Sequence, residues 1–249
     1  MDMRSVAEYA VWFLIYSVLG WIYESTLRSI IHSRWYNSGF LNGPYIPIYG
    51  FGAILDIFLL GGLKDPFEIF LLSGILNCIL EYVTSWGMEK LFHARWWDYS
   101  GKFLNLNGRV CLLGFLAFGS FATVVILFFQ PWLRAHTTDL MSPQALYSLS
   151  SFTVTAMSAD TLITVKGMKD FEQKVNEFTK VLEEAEERIT AQINQKIDSL
   201  SPVSKIRELR LSLQEKRLLE AFPDLRFRDM KYTAEQILQM IRDRFKLPM

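Results

Sequence analysis

The sequence predicts an all-α polytopic membrane helix bundle, with about five spans, two parallel hairpin repeats and a cytoplasmic helical or coiled-coil tail. Three observations carry this. Apolar runs near the ~20 residues that cross a bilayer recur through the first two-thirds of the chain. Charge is uneven: through Val165 there are 9 Lys/Arg and 11 Asp/Glu, and from Lys166 onward 17 and 15. Beyond Phe171 the apolar residues recur in steps of four and three, the mark of an amphipathic helix. The composition shift places a membrane domain over residues 1–166 and a tail over 167–249. Formal net charge is +0, and no basic run invites nucleic acid.

The first span is expected over about Val6–Ile30. Its start lacks a basic leader and a small-residue cleavage site, so it reads as a retained helix and not a removed signal. The second covers Pro44–Leu60 and is closed by Gly61-Gly62. Pro44, Pro47, Gly50 and Gly52 are expected to interrupt its cytoplasmic half, because proline removes a backbone donor. Such backbone must be buried in protein or line a cavity. The third, Pro66–Leu91, has Asp65 as N-cap, Pro66 at the first helical position and Glu68 to complete a capping box. The fourth spans Val110–Trp132, and Ser142-Pro143 opens a fifth, about Pro143–Val165.

Cationic residues set the orientation. Arg28, Arg34, Lys90, Arg95, Lys102 and Arg109 fall on one side, against Arg4, Lys64 and Arg134 on the other. The N-terminus is therefore expected outside and the tail in the cytoplasm.

An internal repeat organises the membrane domain. "HSRWYNSGFLNG" (His32–Gly43) matches "HARWWDYSGKFLNLNG" (His93–Gly108) after small insertions. Each copy follows a helix with an embedded glutamate, Glu24 or Glu81. Two hairpins of the same orientation follow, over about 1–62 and 63–133, with the fifth span at about 143–165.

Glu24, Glu81 and Asp160 are expected at one depth on three helices. Ionisable groups there are costly and should face a bundle interior or water. Asn77, Glu81, Thr84/Ser85 and Glu89 form one polar stripe, and Ser17, Gly20, Glu24 and Arg28 another. These acids either line a polar cavity or pair with Arg28, Lys90, Arg95 or Arg109 to hold helices together. Trp35, Trp96, Trp97 and Tyr99 read as an aromatic belt, with His32, His93, Arg34, Arg95, Lys102 and Arg109 beside it to grip lipid phosphate. Glu89 and His93 make a single four-apart pair, too little for a metal site. Cys78 and Cys111 read as packing residues.

"GFLNGPYIPIYGFG" followed by "ExxTSxxxExxFHARWWDYSxxFxNxNGRVCL" resembles the type IV ABC-transporter membrane-protein family (CmpB-like), over about residues 14–120. The residues that fit its pattern are Glu24, Gly43, Pro44, Pro47, Tyr49, Gly50, Glu81, Thr84, Glu89, Trp96, Trp97, Asp98, Tyr99, Asn107, Gly108 and Arg109. The resemblance implies a multi-pass permease subunit of a bacterial cytoplasmic membrane, without naming a substrate. On that reading Glu24, Tyr49, Glu81, Thr84, Glu89 and Asp160 are the candidate substrate-binding residues. Pro44, Pro47, Gly50, Arg34, Arg95, Trp96, Trp97, Asp98, Asn107 and Arg109 are structural.

The tail predicts one long heptad-like helix from Phe171 to Leu200, a break at Ser201-Pro202 and two further helices. Its apolar stripe is expected to dock a partner or a second copy of the chain. No G-x-x-x-x-G-K-[ST] loop, G-x-S-x-G or H-E-x-x-H occurs. An ATPase, if used, is therefore a separate subunit, and no cofactor is called for. Transport of a small solute is the leading expectation. A membrane-embedded enzyme acting on lipid headgroups (Glu81 or Glu89 as base, Arg95 and Arg109 on phosphate) and a non-transporting scaffold or sensor are the alternatives.

Overall fold

A computed structural model describes residues 2–193 together with 217–219, 221–222, 225–227, 233, 236 and 239. Expectations for the second and third tail helices fall mostly outside these residues. Among the described residues six α-helices dominate: α1 (Met3–His32), α2 (Pro47–Leu60), α3 (Pro66–Phe92), α4 (Leu112–Val124), α5 (Gln130–His136) and α6 (Pro143–Ile193). Two short strands, β1 (Ala94–Arg95) and β2 (Arg226–Phe227), pair antiparallel.

Local signals explain the boundaries. Asp2 caps α1 by accepting the Ser5 amide, and Asp65 caps α3 by accepting the Glu68 amide at 2.8 Å. Both α1 and α3 end on left-handed residues, Ser33 (φ 51°) and His93 (φ 52°), which turn the chain back on itself. A π-helical turn, Val125–Phe129, joins α4 to α5 immediately before Pro131. Proline lacks the N–H of a regular turn and its ring crowds the preceding carbonyls, so the helix widens there.

Among the described residues, three segments are long and apolar enough to cross a membrane: Met3–His32, Pro66–Phe92 and Leu112–Leu140. α2 is apolar but only 14 residues long. The hydroxyl-rich start of α6 does not reach the apolar content of the other three, although Thr153 and Thr161 satisfy their hydroxyls on the carbonyls of Leu149 and Met157. Outward faces of the long helices carry exposed Ile75, Ile79, Phe121 and Phe128, as lipid-facing surfaces do. α6 runs unbroken past Lys166, through the charge shift that marks the expected domain boundary.

The expected interruption of the second helix takes a different form. Pro44 lies before α2 and Pro47 starts it, so the prolines delay the helix without breaking it. Gly50 and Gly52 sit inside α2 as close-approach points. A Cβ on Gly50 would overlap Ser17 Oγ and lie 2.7 Å from the Phe13 carbonyl oxygen of α1. Gly50→Leu is therefore expected to part α1 from α2 at a cost of about 1–3 kcal/mol. Gly62→Ala should be silent, because nothing lies within 4 Å of a Cβ there. Thermal denaturation of both variants in detergent checks this pair.

Both loops after the left-handed caps fold back along their own helices. The first returns along α1: Tyr36 N donates to Ser29 Oγ, Ser38 N to Ser25 Oγ, and Ile46 N to the Ser17 carbonyl. In the second, Asn107 reaches Tyr82 and Tyr99 reaches Glu81, some three turns below the end of α3. These loops and the adjoining helix ends form the loop-rich end of the bundle.

Candidate polar site along α3

Serine, asparagine and glutamate recur every fourth residue on α3: Ser73, Asn77, Glu81, Ser85 and Glu89. At 1.5 Å and 100° per residue the line rises about 24 Å and winds roughly 160° round the helix. Every rung meets a polar group from another element, and those partners define the site.

At the upper rungs, Ser73 Oγ and Asn77 Nδ2 both donate to Asp56 Oδ2 of α2, each at 2.7 Å. Asp56 is 3% exposed, and its other oxygen, Oδ1, is buried without a partner. Gly52 makes room for this contact, since a Cβ there would overlap Asn77 Oδ1. Asp56 did not emerge from the repeat or the stripes. Its signal was a lone carboxylate inside the apolar run "GAILDIFLL".

One turn further, Tyr99 donates its hydroxyl to Glu81 Oε1 at 3.1 Å. Glu81 Oε2 is buried and unpartnered, and a Cβ on Gly114 of α4 would lie 3.7 Å from it. Glu24 pairs with Arg28 at 3.3 Å and accepts a long 3.5 Å bond from Tyr49. The two glutamates are close enough to interact electrostatically, and Tyr49 senses both. Glu24, Tyr49 and Glu81 thus lie in one neighbourhood, without Asp160. Burial, then the adjacent Glu81 carboxylate, push the Tyr99 phenol well above its ordinary range, so Tyr99 remains a donor at physiological pH.

At the loop-rich end, Arg109 is 8% exposed and bridges Ser85 Oγ at 3.0 Å and Glu89 Oε2 at 2.7 Å. Arg95 lies 3.7 Å from the same Glu89 oxygen, donates to the Asn107 carbonyl at 2.6 Å and pairs with Asp98 at 3.4 Å. Partial burial raises the Asp98 carboxyl, but hydrogen bonds from Ser100 and the Arg95 charge outweigh it and hold it below its ordinary value. Trp97 donates to the Arg109 carbonyl at 3.1 Å. Arg95 and Arg109 are therefore committed to Glu89 and the loop, and the expected grip on lipid phosphate finds them engaged. Arg34 is likewise engaged with the Tyr36 hydroxyl and ring.

Other expected residues are placed differently. Asp160 of α6 holds the segment leading into α2: it accepts from the Asn42 amide and side chain, from Gly43 N at 2.9 Å and from Tyr45 OH at 2.7 Å. None of these partners belongs to the Glu24–Glu81 group. Thr84 is half-buried and lies off the i,i+4 line. Trp35 is 72% exposed, as a belt residue should be, but Trp96 is 2% exposed in a core with Phe40, Phe92 and Phe222. A belt is excluded for Trp96 because the fold-back loop carries it inward. Among the described residues, no group of three or more His, Cys, Asp and Glu could hold a metal ion.

The arrangement presents two open carboxylate oxygens between apolar helices, closed at the loop-rich end by two arginine–carboxylate networks. It can accept hydrogen bonds or positive charge from a guest. A family model described as "Putative ABC-transporter type IV" matches residues 11–165. No curated protein and no solved structure matches the chain.

Proposed function

Because this chain belongs to the "Putative ABC-transporter type IV" family, we propose that it is the permease component of a transporter for a small solute, and that the solute passes along the α3 line. The observation that carries this reading is the pair of unpartnered, buried oxygens, Asp56 Oδ1 and Glu81 Oε2. An open acceptor on an ionisable group inside a membrane bundle is costly, and such groups mark solute or ion paths. A solute with amine or hydroxyl donors, or a cation, complements them. Asp56 joins the expected set of Glu24, Tyr49, Glu81, Thr84 and Glu89, while Asp160 serves as a strut. Five crossings, an outside N-terminus and a cytoplasmic loop-rich end in a bacterial plasma membrane complete the proposal, supported by the cation bias.

The sequence has no P-loop, so ATP hydrolysis belongs to a separate subunit. Pull-down from native membranes in mild detergent tests this, using the full chain and a version ending at Ile193. Co-purification of an ATP-binding cassette subunit is expected, and recovery of the chain alone overturns that coupling. For the site, cellular solute content is compared between wild type, deletion and the Glu24→Gln/Glu81→Gln double variant. At normal abundance the double variant is expected to reproduce the deletion profile, with the affected solute changed by at least about tenfold, as a loss of ~1.4 kcal/mol of binding gives. A wild-type profile removes the site.

A further inference from the structure

Residues 217–219, 221–222 and 225–227 pack on the membrane domain and lie over both fold-back loops. Arg217 donates to the carbonyls of Gly39 at 2.7 Å and Phe40 at 2.9 Å in the first loop. Leu218, Leu219, Ala221, Phe222 and Leu225 are buried against the second loop and α6, with the Phe222 ring edge-on to Trp96 at 4.8 Å. β2 pairs with β1, Ala94 opposite Phe227. One further bond enters the polar site itself. Arg28 donates to the Ala221 carbonyl at 2.6 Å while its Nε stays 3.3 Å from Glu24.

We propose that residues 217–219, 221–222 and 225–227 form an intramolecular latch that closes the loop-rich end of the site, with Arg28 carrying the docked or undocked state to Glu24. A guanidinium shared between a carboxylate and a backbone carbonyl is fixed in one rotamer. With the tail lifted, Arg28 is held by Glu24 alone, and β1 and Trp96 lose their cover. Opposing contributions act on the dock. Its apolar contacts favour closure, but Arg217 Nε and Trp96 Nε1 are buried without partners, and each unmade hydrogen bond weakens the docked state. Arg28 is thus a positioning residue for Glu24, and the occupant of this rim is the chain's own tail.

The latch rests on the transport reading for its purpose, but its test needs no solute. Cys111 is buried just before α4, two residues after Arg109, whose carbonyl accepts from Trp97, a ring packed against the docked tail. It serves as a native reporter for a charged, membrane-impermeant thiol reagent, with modification read site by site by mass spectrometry. Slow labelling is expected in the full chain. Arg217→Ala, Phe222→Ala and the chain ending at Ile193 are each expected to label about tenfold faster, the change for an undocking shift of ~1.4 kcal/mol. Cys78, in the middle of α3, should stay unlabelled in all of them, which separates opening from unfolding. Arg28→Gln should accelerate labelling with the tail intact. Equal Cys111 rates in the full and truncated chains overturn the latch, and an Arg28→Gln rate equal to wild type overturns the coupling through Arg28. If the solute profiles fail while labelling responds, the transport reading falls and the latch stands.

Discussion

Arg109→Ala is expected to destabilise the folded protein by about 2 kcal/mol. Losing one partner of a buried ion pair costs roughly 3–5 kcal/mol, and Glu89, with its side chain 40% exposed, recovers part of that through solvent. Ser85 Oγ loses its donor as well, and Tyr82 loses the guanidinium 5.6 Å from its ring centre. Arg109→Lys should recover little, because a single ammonium cannot reach Ser85 and Glu89 in the fork geometry. Adding Glu89→Gln to Arg109→Ala should restore part of the loss, since it removes the stranded charge. Thermal unfolding in detergent of the four members of this double-mutant cycle provides the coupling. A coupling of zero would show that Arg109 acts only through packing.

Asp160→Ala should be of similar or larger effect, about 3 kcal/mol, although Asp160 lies outside the α3 line. Hydrogen bonds to a charged group are worth roughly 1.5–3 kcal/mol each, discounted where they are solvent-exposed. Here Asn42, Gly43 and Tyr45 all lose their acceptor together. Asp160→Asn keeps one oxygen and should retain about half. Tyr45→Phe removes a single bond and should cost about 1 kcal/mol. Hydrogen exchange at residues 42–46 is the direct readout: faster exchange in Asp160→Ala, with α3 amides unchanged, is expected. Unchanged exchange at 42–46 would contradict the strut and return Asp160 to the list of site residues.

Several parts of this site were readable from the chain. Periodicity exposed Asn77, Glu81, Ser85 and Glu89, because four-residue spacing on a helix is a one-dimensional pattern with a three-dimensional consequence. Ser73 continues that line but is unremarkable in an apolar run, and Asp56 gained meaning only when α2 was laid against it. The aromatic repeat was visible too, but it did not tell Trp35 from Trp96. Both follow a His-x-Arg step, and only the direction of the fold-back loop sends one outward and the other into the core with Phe222. Glycine and proline in "GPYIPIYGFG" looked like helix breakers. Within α2 the glycines instead let two helices touch, which depends on neighbours that the local sequence does not contain.

The sequence by itself determined the membrane class, the long apolar runs, the Asp65 cap of α3 and the polar line along that helix. Each follows from composition or from spacing within one element, where the physics is local. Tertiary structure decided which acids meet. Glu24 joins Glu81, Asp56 joins Ser73 and Asn77, and Asp160 leaves for the α2 entry. It also decided that Arg217, Phe222 and Ala221 return to Gly39, Trp96 and Arg28. A charged group inside a bundle takes whichever donor the packing brings within about 3 Å, and that choice is made between elements far apart in the chain.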